Sequence, residues 1–120
     1  MFEPVALRYS ETVLAALSKA GVRRAVFNPG LPAPPEPIGV PYIDARVALA
    51  QRLPDAVETA SVVGPAALYL ENLVQPWSLR RVTERGELAY PLPGAVAVPW
   101  LALDDLGDAV AAALRAAQPA

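Results

Sequence analysis

The 120-residue chain contains no cysteine and no histidine. Without cysteine there is no disulfide framework and no thiolate metal site. Without histidine the commonest general base and the commonest zinc ligand are both missing, and a Ser-His-Asp triad cannot be assembled. None of the seven glycines stands in G-x-G-x-x-G or Walker-type spacing, so no glycine loop is laid out to cradle a phosphate at a helix start. A G-x-S-x-G elbow is likewise missing. No apolar run reaches the roughly 18 residues that a membrane span requires. Ten Lys+Arg against twelve Asp+Glu give a formal charge of −2 with no basic stripe, which argues against a nucleic-acid footprint. Met1-Phe2-Glu3-Pro4 has no cationic segment leading into an apolar core. It reads as no signal peptide, and a cytoplasmic location is the expectation.

What is present is apolar and rich in proline. A hydrophobic share of 54% in a chain of this length implies one folded domain, residues 1–120, with a single core. Val13, Leu14, Leu17 and Ala20 recur at helical spacing and predict a helix over residues 9–20. Gly21 follows as its left-handed terminator, with Val22 as the apolar contact beyond it. Ala25-Val26-Phe27 is short, rich in strand formers and stopped by Asn28-Pro29-Gly30, so it predicts a buried strand.

Six of the fourteen prolines fall between residues 29 and 41, which predicts an extended surface loop. That loop is open to two readings, a stiff connector or a substrate-side loop. A second helix is predicted over 43–53, with Ile43, Val47, Ala50 and Leu53 on one face and Pro54 ending it. Strands are predicted at 60–63 and 95–98, and a short helix at 66–75. The last helix opens on Asp104 as N-cap, with Asp105 and Asp108 near the positive end of its dipole and Arg115 near the negative end. Leu106, Val110, Ala113, Leu114 and Ala117 mark its apolar face. Three clustered aspartates also invite a divalent cation, but capping accounts for them and no other carboxylate cluster supports a metal. The pattern is an α/β domain.

One constellation carries chemistry. Tyr42 and Arg46 are spaced i, i+4 and share a helix face just after the proline loop. A fixed cation beside a phenol favours the phenolate, which suits a tyrosine to proton donation. Taken alone, the pair reads more simply as a tyrosine at a helix start beside an exposed arginine. Trp77, Tyr90 and Trp100 could line a pocket or pack the sheet.

Four segments add up. Ala20-Gly21-Val22-Arg23-Arg24-Ala25-Val26-Phe27-Asn28 resembles the helix-to-strand junction of NmrA-like, atypical short-chain dehydrogenases/reductases. Gly39-Val40-Pro41-Tyr42-Ile43-Asp44-Ala45-Arg46 resembles that family's Gly-Val-Pro-x-x-Asp-Ala-Lys helix start. Leu68-Tyr69-Leu70-Glu71-Asn72-Leu73 is similar to its Glu-Asn-Leu segment, and Val98 to Leu106 to its closing strand and helix. The resemblance runs in order over residues 9–115.

It implies a partial Rossmann-type parallel sheet of about three strands with flanking helices, the C-terminal half of an NAD(P)-binding domain. By position it implies Tyr42 as the catalytic proton donor and Asn28, Arg46 and Pro65 beside the cofactor, with no metal. The departures are specific. The glycine fingerprint is missing, Pro29-Gly30 stands where the family's serine falls, and Arg46 replaces the lysine that holds the ribose. Gly64-Pro65 keeps only the proline of an Arg-Pro pair.

Two functions follow as expectations. One is a truncated or degenerate NmrA-like chain without catalysis, acting as an oligomerising or regulatory module in which NAD(P) binds weakly or not at all. The other is the substrate-side portion of an NAD(P)H-dependent oxidoreductase completed by a partner chain. In both, the strand edge near Ala25–Phe27 is open and calls for a second copy or a partner.

Overall fold

The computed structural model describes residues 3–30, 32 and 34–116. Residues 1–2 of the leader reading, Leu31 and Ala33 of the proline segment and Ala117 of the last helix's apolar face lie outside them. Along the chain run α1 (Glu3–Lys19), β1 (Arg24–Phe27), α2 (Pro41–Ala56), β2 (Thr59–Val62) and β3 (Leu68–Tyr69). A 3-10 helix (Leu70–Val74), α3 (Pro76–Arg85), β4 (Trp100–Leu101) and α4 (Leu103–Arg115) follow. The protein is α/β, with small parallel sheets. The chain forms two compact units, Met1–Pro65 with Val110–Ala120, and Ala66–Ala109.

The first unit is built on a strand–helix–strand crossover. β1 pairs in parallel with β2, Arg24 opposite Thr59 and Phe27 opposite Val62, with α2 connecting them. α1 starts six residues earlier than its apolar pattern suggested, because Ala6 and Ser10 extend the stripe of Leu14 and Leu17, and Pro4 is tolerated in a first turn. Val13, expected on the apolar face, is exposed. The helix ends as the glycine required. Gly21 takes a φ of +66°, its amide donates to Ser18 O and that of Val22 to Leu17 O at 3.1 and 3.0 Å. Those two bonds form a Schellman motif, and Leu17 and Val22 both pack on the unit's core.

That core is Leu14 from α1, Leu53 from α2 and Val57 just after it, with Phe27 and Ala60 of the strands against them. α2 continues through Pro54 to Ala56 where Pro54 was expected to stop it. One missing ladder bond is offset by keeping Leu53, 3% exposed, and Val57 turned into the core. β1 is half-buried along its length, not buried as its sequence suggested, since its sheet has only two strands. On the surface the Arg52 guanidinium bonds the Glu11 carboxylate, joining α2 to α1 and holding the Glu11 carboxyl below its ordinary range.

The second unit repeats the plan in smaller form. β3 and β4 pair in parallel, Leu68 opposite Trp100 and Tyr69 opposite Leu101. The chain between them passes through the 3-10 helix and α3. This replaces the helix expected over 66–75: Leu68–Tyr69 is drawn into the ladder, and Pro76 restricts Gln75, leaving one 3-10 turn. The strand expected at 95–98 does not form. Pro91, Pro93 and Pro99 lack amide donors, and the segment is held by turn bonds from Leu92 to Tyr90 O and from Val96 to Pro93 O. Pairing is displaced to Trp100–Leu101, so two two-stranded sheets stand where one three-stranded sheet was expected.

Helix α3 (Pro76–Arg85) is an element that the sequence patterning did not predict. It begins on Pro76 and stops at Gly86 with φ +67°, the start-Pro, end-Gly pattern of a helix, and carries an i, i+4 pair from Arg80 to Glu84 at 2.8 Å. Asp104 is not the N-cap of α4. The helix starts at Leu103, whose amide donates to Glu71 Oε1 at 2.9 Å, and Asp104 and Asp105 sit in its first turn. Leu106 and Ala113 are buried as expected, whereas Leu114 is exposed. Among the described residues no helix is long and apolar enough to cross a membrane, and no group of His, Cys, Asp or Glu is placed to hold a metal ion.

If Leu14, Leu53 and Val57 are the first unit's core, Leu53→Ala costs about 3 kcal/mol. Urea denaturation followed by far-UV circular dichroism measures this, and a loss comparable to that of an exposed leucine such as Leu114→Ala contradicts it.

Candidate functional site

Three of the four residues singled out by sequence meet at one cavity. It measures about 270 Å³ and is lined by Ala6, Ser10, Phe27, Asn28, Tyr42, Ala45, Arg46 and Leu49. The crossover explains the convergence. Phe27 and Asn28 lie at the C-terminal end of β1, and α2 presents Tyr42, Ala45, Arg46 and Leu49 at i, i+3, i+4 and i+7 on one face. Open α/β sheets place their ligands beyond the carboxyl ends of the strands. Pro65 lies three residues beyond β2 and does not line the cavity.

Arg46 is fixed from several sides. Its Nε donates to Pro29 O at 2.8 Å and Nη1 to Tyr42 O at 3.0 Å, while Nη2 donates to the Tyr42 hydroxyl. The guanidinium carbon stands 3.5 Å from the centre of the Tyr42 ring. A cation so close to a ring face is attracted by its quadrupole, and the planar guanidinium suits that stacking better than an ammonium would. Arg46 is half-buried and forms no ion pair among the described residues. Tyr42 is exposed and accepts from Arg46, which leaves its own O–H free to donate outward.

The remaining polar groups are largely committed. Ser10 Oγ donates to Ala6 O at 3.0 Å, inside its own helix. Asn28 Oδ1 accepts the Gly30 amide at 2.8 Å, shaping the start of the proline loop. Asp44, one of the motif residues, accepts the Ile38 and Gly39 amides at 2.7 and 3.0 Å. It therefore ties the end of that loop to the first turns of α2. Among the described residues no carboxylate or imidazole lines the cavity, so those residues offer hydrogen-bond donors on an apolar wall without a general base.

The fit to a dinucleotide is poor. Ligand pockets commonly enclose about 300–1,000 Å³, and this cavity is smaller than that range. A pyrophosphate needs converging amides, yet those of Ile38 and Gly39, next to the helix start, already bind the Asp44 carboxylate. What fits is a single ring-sized group. Of the five lining residues missed by sequence, Ala6, Phe27, Ala45 and Leu49 are apolar and Ser10 is polar, and helical spacing from Tyr42 signals Ala45 and Leu49.

In the second unit the aromatic residues pack on one another. Tyr90 meets Trp77 and Trp100 edge-on, with ring centres 5.5 and 5.1 Å apart, and its hydroxyl accepts from Asn72 Nδ2 at 3.0 Å. Comparison with protein-family models, curated proteins and solved structures finds no match to this chain.

Asp44→Ala should free the loop's end. The expected result is a loss of about 1 kcal/mol in stability together with faster hydrogen exchange at the Ile38 and Gly39 amides. Unchanged exchange at those two amides contradicts the role.

Proposed function

We propose that the chain is an NmrA-like module without catalysis of its own, a degenerate relative that works by association with a second copy of itself. The observation that carries this reading is the edge of β1. Thr59 and Val63 donate to Arg23 O and Phe27 O, so the parallel alternation turns the amide and carbonyl of Arg24 and Val26 away from β2. No third strand pairs there among the described residues. Two strands make a marginal sheet, and parallel sheets are stable when covered on both faces and extended at their edges. The absence of a general base at the cavity and the arginine in the lysine's place favour binding over turnover. A second copy pairing along β1 supplies the missing strand.

Light scattering of the purified chain at micromolar concentration tests this. The expected mass is twice that of one chain or more, falling on dilution; a folded monomer throughout overturns association with itself and leaves a different partner chain as the occupant of the edge.

A second reading, the substrate-side portion of an NAD(P)H-dependent oxidoreductase, draws support from one observation, the meeting of Tyr42, Arg46 and Asn28 at a strand end. In that reading Tyr42 donates the proton, and Arg46, Asn28 and Pro65 stand beside the cofactor. Calorimetry with NADPH and NADH separates the two. Binding that is lost in Arg46→Ala favours the oxidoreductase portion, and no heat at millimolar nucleotide removes it for this chain alone.

A further inference from the structure

We infer that the cavity between α1, β1 and α2 binds a small organic monoanion with a flat apolar body, an aromatic carboxylate being the simplest case, through the Arg46 guanidinium. The inference stands on the cavity itself and holds whether or not the chain associates through β1.

The first argument is charge. Arg46 has five N–H donors, and the three bonds it makes, to Pro29 O, Tyr42 O and the Tyr42 hydroxyl, leave two, one on each terminal nitrogen. Two is the number that a carboxylate accepts from an arginine fork. Four other arginines of the chain, Arg23, Arg52, Arg80 and Arg81, are paired with glutamates, whereas Arg46 lines a cavity in whose wall no carboxylate stands among the described residues. Its acidic neighbour on α2, Asp44, is turned to the loop amides and makes no ion pair with it.

The second argument is preorganisation. A free arginine loses considerable rotamer entropy when it grips a ligand. Here the side chain is already held at Nε and Nη1 by backbone carbonyls and stacked 3.5 Å from the Tyr42 ring, so little freedom remains to be lost. The Tyr42 hydroxyl adds an outward donor beside it.

The third argument is shape and polarity. Ala6, Phe27, Ala45 and Leu49 form an apolar wall, and about 270 Å³ accommodates a ring-sized group. A phosphate dianion would want a second cation or a nest of free amides, and in the loop the Ile38 and Gly39 amides are taken by Asp44 and the Gly30 amide by Asn28 Oδ1. One positive charge on an apolar floor matches a monoanion with an apolar body.

The test titrates the full chain with sodium benzoate, with benzamide as its neutral isostere and with inorganic phosphate, followed by amide NMR shifts. Benzoate should give saturable shifts centred on Phe27, Asn28, Ala45 and Leu49, with benzamide and phosphate about tenfold weaker. Arg46→Gln should abolish the preference for benzoate over benzamide, and Arg46→Lys should retain part of it because the charge remains without the fork. The comparison of the two ligands on the unaltered chain stands even if Arg46→Gln fails to fold. Equal binding of benzoate and benzamide, shifts centred away from the cavity, or a preference that survives in a folded Arg46→Gln chain overturns the inference. A monomer in light scattering leaves it untouched, and a failed benzoate titration leaves association through β1 untouched.

Discussion

A two-stranded parallel sheet has one ladder of hydrogen bonds, and β1 and β2 stay paired because two helices pack on them. Leu14 of α1, Leu53 of α2 and Val57 after it meet where the sheet alone could bury almost nothing. The Schellman bonds at Gly21 and Val22 set the angle at which the chain leaves α1 and enters β1. Continuation of α2 through Pro54 follows from the same requirement, since unwinding its last turn would take Leu53 and Val57 out of the core. The contact therefore fixes where α2 begins relative to the strand ends, and so where Tyr42 and Arg46 stand.

The cavity inherits its character from that arrangement. One wall is the apolar face of α2 and the facing turn of α1, the natural by-product of two helices packed over a narrow sheet. Its polar corner arises where the chain changes direction after β1: the Pro29 carbonyl, which no strand partner uses, accepts from Arg46 and locks it over Tyr42. A proline is well placed here, because its ring restricts the backbone that holds the carbonyl in position. Structural constraint and binding chemistry thus share the same few atoms.

Much of the first unit was legible in the sequence, and the reasons are local. Gly21 before an apolar run, the breakers at Asn28-Pro29-Gly30 and the stripe of Val47 and Leu53 act through nearest neighbours, so pattern and structure agree. The second unit was less legible because its elements answer to distant partners. Leu68–Tyr69 carries a helical pattern but pairs with Trp100–Leu101, and α4 is capped by Glu71 from 32 residues earlier, where Asp104 offered a cap next door. Helix α3 was overlooked for a different reason. Its signal lies in Pro76, Gly86 and the Arg80–Glu84 pair rather than in an apolar stripe. Of the site, the Tyr42–Arg46 spacing was readable, whereas the Pro29 carbonyl that fixes Arg46 is a backbone group that no residue pattern announces.

The segments on which the proposed NmrA-like reading rests do identifiable mechanical work here. Gly21 terminates α1, Asp44 collects two loop amides, Glu71 takes the first amide of α4 and Asn72 donates to the Tyr90 hydroxyl. None of these roles needs a cofactor or a substrate. A chain that had lost catalysis would keep all four, because each secures a junction between elements, and it would be free to change the positions whose use is chemical. Under the proposed NmrA-like reading the departures fall there: Pro29-Gly30 for a serine and Arg46 for a lysine. An arginine stacked on tyrosine cannot give the compact point charge of an ammonium, but it gives a planar fork held in place. On that reading, the arginine that weakens the case for a reductase is the same group that we infer holds an anion.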